Sequence, residues 1–407
     1  MATILDGQQL ARIDGGVTAP RGFRAAGIHC GIKAGRKDLA LIVSETLASA
    51  AGMFTTNAVK AAPVLVSQEK IQSGVAQAVI VNSGNANACT GPRGEADARE
   101  MTRLTAEALG IAEEFVLVAS TGIIGVPLPM DAIRSGIPRL ASALSADGRD
   151  AAEAILTTDA FVKTSAVQLR LGERVVTIGG MAKGAGMIHP RMATMLAFLT
   201  TDAALSPPLL RQALRQAVDR SFNVISVDGD TSTNDSVFLL ANGQAGGAPL
   251  TADDAAFDRF TEALTVVAAD LARLIVKDGE GATKLITVTV RGARSPADAR
   301  RVLSAVMTSP LVKTAIYGGE PNWGRILAAA GRSGAALIPE RVEMAIAGIP
   351  VVSGGQGLPG ALAPAAEAMA QPEYEIVLDL HLGSGEATGW TCDLNERYVK
   401  INAGYMT

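Results

Sequence analysis

Residues 179–196 read Gly-Gly-Met-Ala-Lys-Gly-Ala-Gly-Met-Ile-His-Pro-Arg-Met-Ala-Thr-Met-Leu. Four glycines let the backbone turn and approach another group closely. Lys183 stands among them, Pro190 stiffens the chain, and Ala193-Thr194 leads into an apolar run. Composition alone fits a glycine-rich hairpin with a solvated lysine and a packed threonine. A phosphate-binding loop fits poorly, because Gly184-Ala185-Gly186 is not followed by the Lys-Ser/Thr of a Walker motif. The three histidines, His29, His189 and His381, show no zinc-ligand spacing, and a Ser-His-Asp triad would have to draw on one of them. An acyl-transfer enzyme with this composition is expected to find its base elsewhere.

The elements that must position these residues can be read from local pattern. Short β-branched runs at 78–81, 115–119, 175–178, 224–227, 237–240, 285–290, 342–346 and 376–382, bounded mostly by Gly, Asn, Asp or Ser, predict strands. Helical periodicity appears at 99–109, 209–218, 255–276 and 297–307. Ser206-Pro207-Pro208 and Ser295-Pro296 supply a cap and first turn for two of these helices. The alternation predicts a layered α/β or α+β fold.

The 407 residues suffice for two or three domains or one large two-lobed unit. Residues 291–296 are the expected boundary between a main lobe, 1–292, and a smaller C-terminal α/β lobe, 293–407. A net charge of −4, from 36 basic and 40 acidic residues, argues against nucleic acid or an anionic membrane as partner. No apolar run is long enough to span a bilayer. The first 24 residues, with Asp6 and no continuous apolar stretch, do not read as a signal peptide. Cys30, Cys89 and Cys392 form no CxxC pair or framework, so a reduced, cytoplasmic location is expected.

The segment Lys183-Gly184-Ala185-Gly186-Met187-Ile188, continuing through Pro190 to Met192-Ala193-Thr194-Met195-Leu196, closely resembles the hallmark of the ornithine acetyltransferase family. These are bifunctional glutamate N-acetyltransferases of arginine biosynthesis. Arg191 stands where the family has Asn. The resemblance runs the length of the chain. It includes Phe54-Thr55-Thr56-Asn57, Val81-Asn82-Ser83-Gly84-Asn85-Ala86-Asn87-Ala88, Ser120-Thr121-Gly122 and Thr157-Thr158-Asp159. It continues through residues 226–235, 277–284 and 321–326 to the C-terminal segment 401–407, whose Ala403-Gly404-Tyr405-Met406 departs slightly from the family ending.

The resemblance implies a self-cleaving α-β-β-α-type sandwich, cut between Ala193 and Thr194 into chains 1–193 and 194–407. A threonine hydroxyl needs a base to attack a carbonyl. Cleavage would free an α-amine on Thr194 itself, with an ordinary pKa near neutrality, which suits a chain poor in histidine. By the same resemblance Thr194 is the nucleophile, and Thr121 and Gly122 form the oxyanion hole. Lys183 holds a substrate carboxylate, and Thr157 adds a hydroxyl contact, with Thr158 as the neighbouring alternative. Glu280 faces an amine or handles a proton, while Asn402 and Thr407 close the pocket. Taken singly, Lys183 and Glu280 read as solvated turn charges, Thr157 as a turn hydroxyl and Asn402 as a strand-end amide.

The activity so implied is transfer of acetyl from N2-acetylornithine to glutamate through an acetyl-threonine ester. No metal and no resident cofactor are expected, and acetyl-CoA stays open as a second donor. The expected assembly is a heterotetramer of two α and two β chains. The alternative is a self-cleaving amidase or aminopeptidase, in which water is the acceptor.

Overall fold

The computed structural model describes residues 2–5, 8–189 and 195–404. Among the described residues, ten strands form the larger sheet. They are β1 (Ala2–Leu5), β2 (Gln8–Ile13), β3 (Phe23–Ile28), β4 (Leu39–Phe54), β5 (Val75–Asn85), β6 (Val116–Ile123), β7 (Lys163–Leu171), β8 (Arg174–Lys183), β9 (Leu196–Thr201) and, after the two-residue β10 (Ile225–Ser226), β11 (Ser236–Ala241). Their order is β1-β2-β7-β8-β9-β11-β4-β5-β6, with β3 beside β4.

Strand alternation builds the layers. On β9 and β11, Ala197, Leu199, Val237 and Leu239 pack against α5 (Pro207–Asp219) and α6 (Ala255–Lys277). Their neighbours Leu196, Phe198, Phe238 and Leu240 face the opposite way and share a core with Val79 and Val81 of β5 and Leu117 and Ala119 of β6. The outer face of that second layer, Ala78, Ile80, Val116 and Val118, packs on α1 (Ala62–Lys70), α2 (Gly91–Leu109) and α3 (Met130–Ser142). The result is helix, sheet, sheet, helix, as the alternating pattern requires.

The sixteen-residue β4 links the two β layers. Its first part pairs with β3 and β5, and its last part, from Ser49 to Phe54, pairs with β11. Between them the register against β5 slips after Val43, and residues 45–47 turn out to solvent.

Among the described residues, seven strands form the smaller sheet, in the order β10-β17-β12-β16-β13-β14-β15. These comprise β12 (Leu285–Ala293), β13 (Glu343–Ile346), β14 (Ile349–Ser353), β15 (Gln356–Gly357), β16 (Glu373–Asp379) and β17 (Gly385–Cys392), with β10 at the edge. Residues of α7 (Pro296–Met307), α8 (Pro310–Tyr317) and α9 (Trp323–Gly331) complete its core.

Most predicted elements are present, with shifted ends. The 99–109 helix begins at Gly91, behind Thr90. The 224–227 run is a 3-10 turn, Phe222–Val224, followed by the short β10. Ser295 caps α7 by accepting the Asp298 N–H at 3.2 Å. Ser206 stands at the start of α5 without a side-chain cap bond. Pro207 and Pro208 remove the first two N–H donors there, which leaves a serine oxygen little to accept.

Candidate active site

One cleft of ≈ 360 Å³ gathers Thr121, Gly122, Thr157, Thr158, Lys183, Glu280 and Asn402. Thr121 and Gly122 come from the C-terminal end of β6, and Lys183 is the last residue of β8. Thr157 and Thr158 lie between α4 (Arg149–Ala154) and β7. Glu280 follows α6, and Asn402 lies on the C-terminal helix Glu396–Gly404. Six of the nine expected site residues, and the neighbour Thr158, therefore meet in one place. The other three, Ala193, Thr194 and Thr407, lie outside the described residues.

The threonine-glycine pair is held tightly. Gly122 has φ +136°, and a Cβ there would lie 2.3 Å from Gly84 C and 2.4 Å from Asn85 N on β5. Only glycine fits that approach. Asn234 ties the same strand end to the 228–235 loop, donating its side-chain N–H groups to the carbonyls of Ala86 at 2.6 Å and Ser120 at 2.9 Å.

Lys183 is buried, not a solvated loop charge. Its Nζ lies 3.4 Å from Thr121 Oγ1 and 3.9 Å from Asp159 Oδ2. Burial pushes its pKa down, while Asp159, Glu280 and Asp235 favour the charged form. Burial also pulls the Asp159 carboxyl upward, but Lys183 and Lys163 outweigh it and hold that group below the usual carboxylate range.

Glu280 Oε2 accepts the Asn402 side-chain N–H at 2.7 Å. A Cβ on Gly186 would fall 2.5–2.6 Å from the Glu280 carboxylate, so that glycine makes room for it. Gly186→Ala should displace Glu280 and lower kcat/KM by about tenfold, the scale of one lost hydrogen bond to a charged group, while the melting temperature changes little. Steady-state kinetics beside thermal melting would check this. Unchanged kinetics would show that the carboxylate's position is immaterial.

Sequence reasoning gave no role to several residues at this site. Asp228 accepts the successive N–H groups of Met187 at 2.5 Å and Ile188 at 2.8 Å, and the Tyr398 hydroxyl donates to it at 3.2 Å. Asp235 accepts the Met195 N–H at 3.0 Å, on the residue after Thr194. Its Oδ2 is buried without a hydrogen-bond partner among the described residues, and burial raises its pKa well above normal. Both aspartates belong to the 226–235 motif, whose carboxylates were the available signal. Asp159 stands in the Thr157-Thr158-Asp159 motif, where only the threonines were given a role, and Tyr398 was marked by nothing but its nearness to the C-terminal motif.

The ArgJ family model matches residues 24–407. The arginine biosynthesis bifunctional protein ArgJ of Symbiobacterium thermophilum is 54% identical over 397 residues, which is 97% of this chain and 99% of that protein. The protein of the same name from Geobacter sulfurreducens is 53% identical, covering 95% and 99%. Among solved structures, the ornithine acetyltransferase of Mycobacterium tuberculosis complexed with ornithine is 44% identical, covering 44% of this chain and 98% of that one, with a TM-score of 0.42. Matched along nearly its whole length, the chain belongs to the ArgJ family and is an acetyltransferase of arginine biosynthesis.

Proposed function

We propose that this enzyme moves acetyl from N2-acetylornithine to glutamate through an ester on Thr194, after the chain is cut between Ala193 and Thr194. In the cut, the Thr194 hydroxyl attacks the Ala193 carbonyl carbon, the C–N bond breaks and an ester forms. Water hydrolyses that ester, leaving a carboxylate on Ala193 and a free amine on Thr194. In transfer, the hydroxyl passes its proton to that amine and attacks the acetyl carbonyl. The acetyl C–N bond breaks, and ornithine leaves with the proton on its nitrogen. The α-amine of glutamate then attacks the ester, and the threonine oxygen recovers a proton.

The observation that carries this is the convergence of Thr121, Gly122, Lys183 and Glu280 on one cleft. A buried lysine suits an α-carboxylate shared by both substrates. A Thr hydroxyl and a Gly N–H suit the oxyanion that forms in each step. Thr157, Asn402 and Thr407 complete the binding set, with Thr158 beside Thr157.

The acceptor is the test. Ornithine release from N2-acetylornithine should be much faster with glutamate than without it, with N-acetylglutamate formed in equal amount. Equal rates with and without glutamate would make the enzyme a hydrolase and defeat the proposal.

The chemistry uses no resident cofactor. A direct assay of glutamate acetylation from acetyl-CoA decides whether the donor range extends to that thioester. We further propose that the processed enzyme is a cytoplasmic heterotetramer of two 1–193 and two 194–407 chains. Among the described residues, no helix is long and apolar enough to cross a membrane.

A further inference from the structure

A closed cluster of charge lies behind the cleft wall. Lys163 and Asp159 have fully buried side chains, Asp278 is 5% exposed and Lys183 is 3% exposed. Lys163 Nζ donates to Asp159 Oδ1 at 2.7 Å and Asp278 Oδ2 at 2.5 Å. Asp159 Oδ1 also accepts the Gly184 N–H at 2.7 Å, and Oδ2 accepts the Thr157 N–H at 2.9 Å. Asp278 takes the Ala160 N–H at 3.0 Å. Asp159 thus touches the backbone on which Thr157 sits and the residue after Lys183.

Two lysines and two aspartates balance formally, and burial makes that balance consequential. A buried ammonium without its counter-charge gives up its proton. Among the described residues, the charged groups that act on Lys183 include Asp159 from the segment before β7, Lys163 from β7, Asp235 before β11, Glu280 after α6, and Lys33 before β4. Asp159 is the carboxylate paired with it, at 3.9 Å. Lys163 draws on that same carboxylate.

We propose that Asp159 is a positioning residue that keeps Lys183 protonated and aimed into the cleft with Thr157, and that Lys163, balanced by Asp278, sets how strongly it does so. This rests on Lys183 being the cation that binds the substrate carboxylate. Protonated Lys183 is then required, so activity falls as pH rises through its pKa, and the cluster sets where that alkaline limb lies.

The test is the pH profile of acetyl transfer by the whole processed enzyme. Asp159→Asn removes the counter-charge and should move the alkaline limb down by about one pH unit or more. Lys163→Met removes a competing cation and should move it up. Lys163→Arg should leave it in place. The acid limb should not move in any of them. A structural role alone would lower the rate without moving the limb in opposite directions.

If Asp159→Asn does not fold, Asp278→Asn removes a unit of negative charge from the other end of the cluster and should give a smaller downward shift. An alkaline limb fixed in every variant that folds overturns the proposal. Lys183→Met separates the two ideas. If it transfers acetyl at the normal rate, the assignment of Lys183 as the substrate cation fails. If it is inactive while the other limbs stay fixed, only the role given to Asp159 fails.

Discussion

Thr194→Ala should run as one uncut polypeptide on a denaturing gel and transfer no measurable acetyl. The variant loses both the hydroxyl that attacks the Ala193 carbonyl and the hydroxyl that would carry the acetyl group. Removing a nucleophile from a comparable acyl-transfer site costs on the order of 10⁶ in kcat. The substitution is small, and Met195 N–H remains available to Asp235, so the fold should be kept. Thr194→Ser retains the hydroxyl and should still cut. Two fragments from the alanine variant, or residual transfer near the normal rate, would remove Thr194 from both roles.

Gly122→Ala has the second largest expected effect, and it should appear in two measurements at once. The added Cβ would meet backbone, Gly84 C at 2.3 Å and Asn85 N at 2.4 Å, and φ +136° strains any L-residue. Backbone strain of this kind costs about 1–3 kcal/mol before the clash is counted, so the melting temperature should fall. The same shift would misplace the Gly122 N–H. Loss of one oxyanion donor lowers kcat by about 10²–10³. Self-cleavage should slow together with transfer, since both pass through a tetrahedral oxyanion. Thr121→Val is the companion variant and should slow both reactions with a smaller loss of stability. Normal cutting and normal transfer in Gly122→Ala would exclude the pair as the oxyanion hole.

The same glycine shows how far the sequence could be read. The Ser120-Thr121-Gly122 motif was visible in the chain, but its reason lies in the end of β5, close in space and 37 residues earlier. Lys183 is a second case. Its glycine-rich neighbours suggested a solvated loop, whereas the folded chain buries it beside Asp159. Burial there depends on a pairing between segments that no local pattern marks. The runs within β5, β8 and β11 were legible as short apolar, β-branched stretches bounded by turn residues, and α6 was legible by its helical period. The sixteen-residue β4 was not, because it changes partners midway and exposes residues 45–47. Two half-patterns do not add up to one long strand in sequence. Asp228 and Asp235 were legible as carboxylates, but their work on backbone N–H groups was not.

The strand order has a consequence for how such a molecule is made. β9 and β11 come after Thr194 in sequence, yet they sit as a wedge between β8 and β4, which precede it. Lys183 pairs with Leu196 on one flank, and Phe54 pairs with Ser236 on the other. Cut at the proposed bond, the N-terminal piece would hold two strips of sheet with no ladder joining them, and the other piece would supply the splice. Made separately, each would expose raw strand edges that invite aggregation. On the proposed cut, the peptide bond before Thr194 would act as scaffolding. It would bring the splice into register during folding, and the six-residue ladders on either flank would hold the join once the bond is cut.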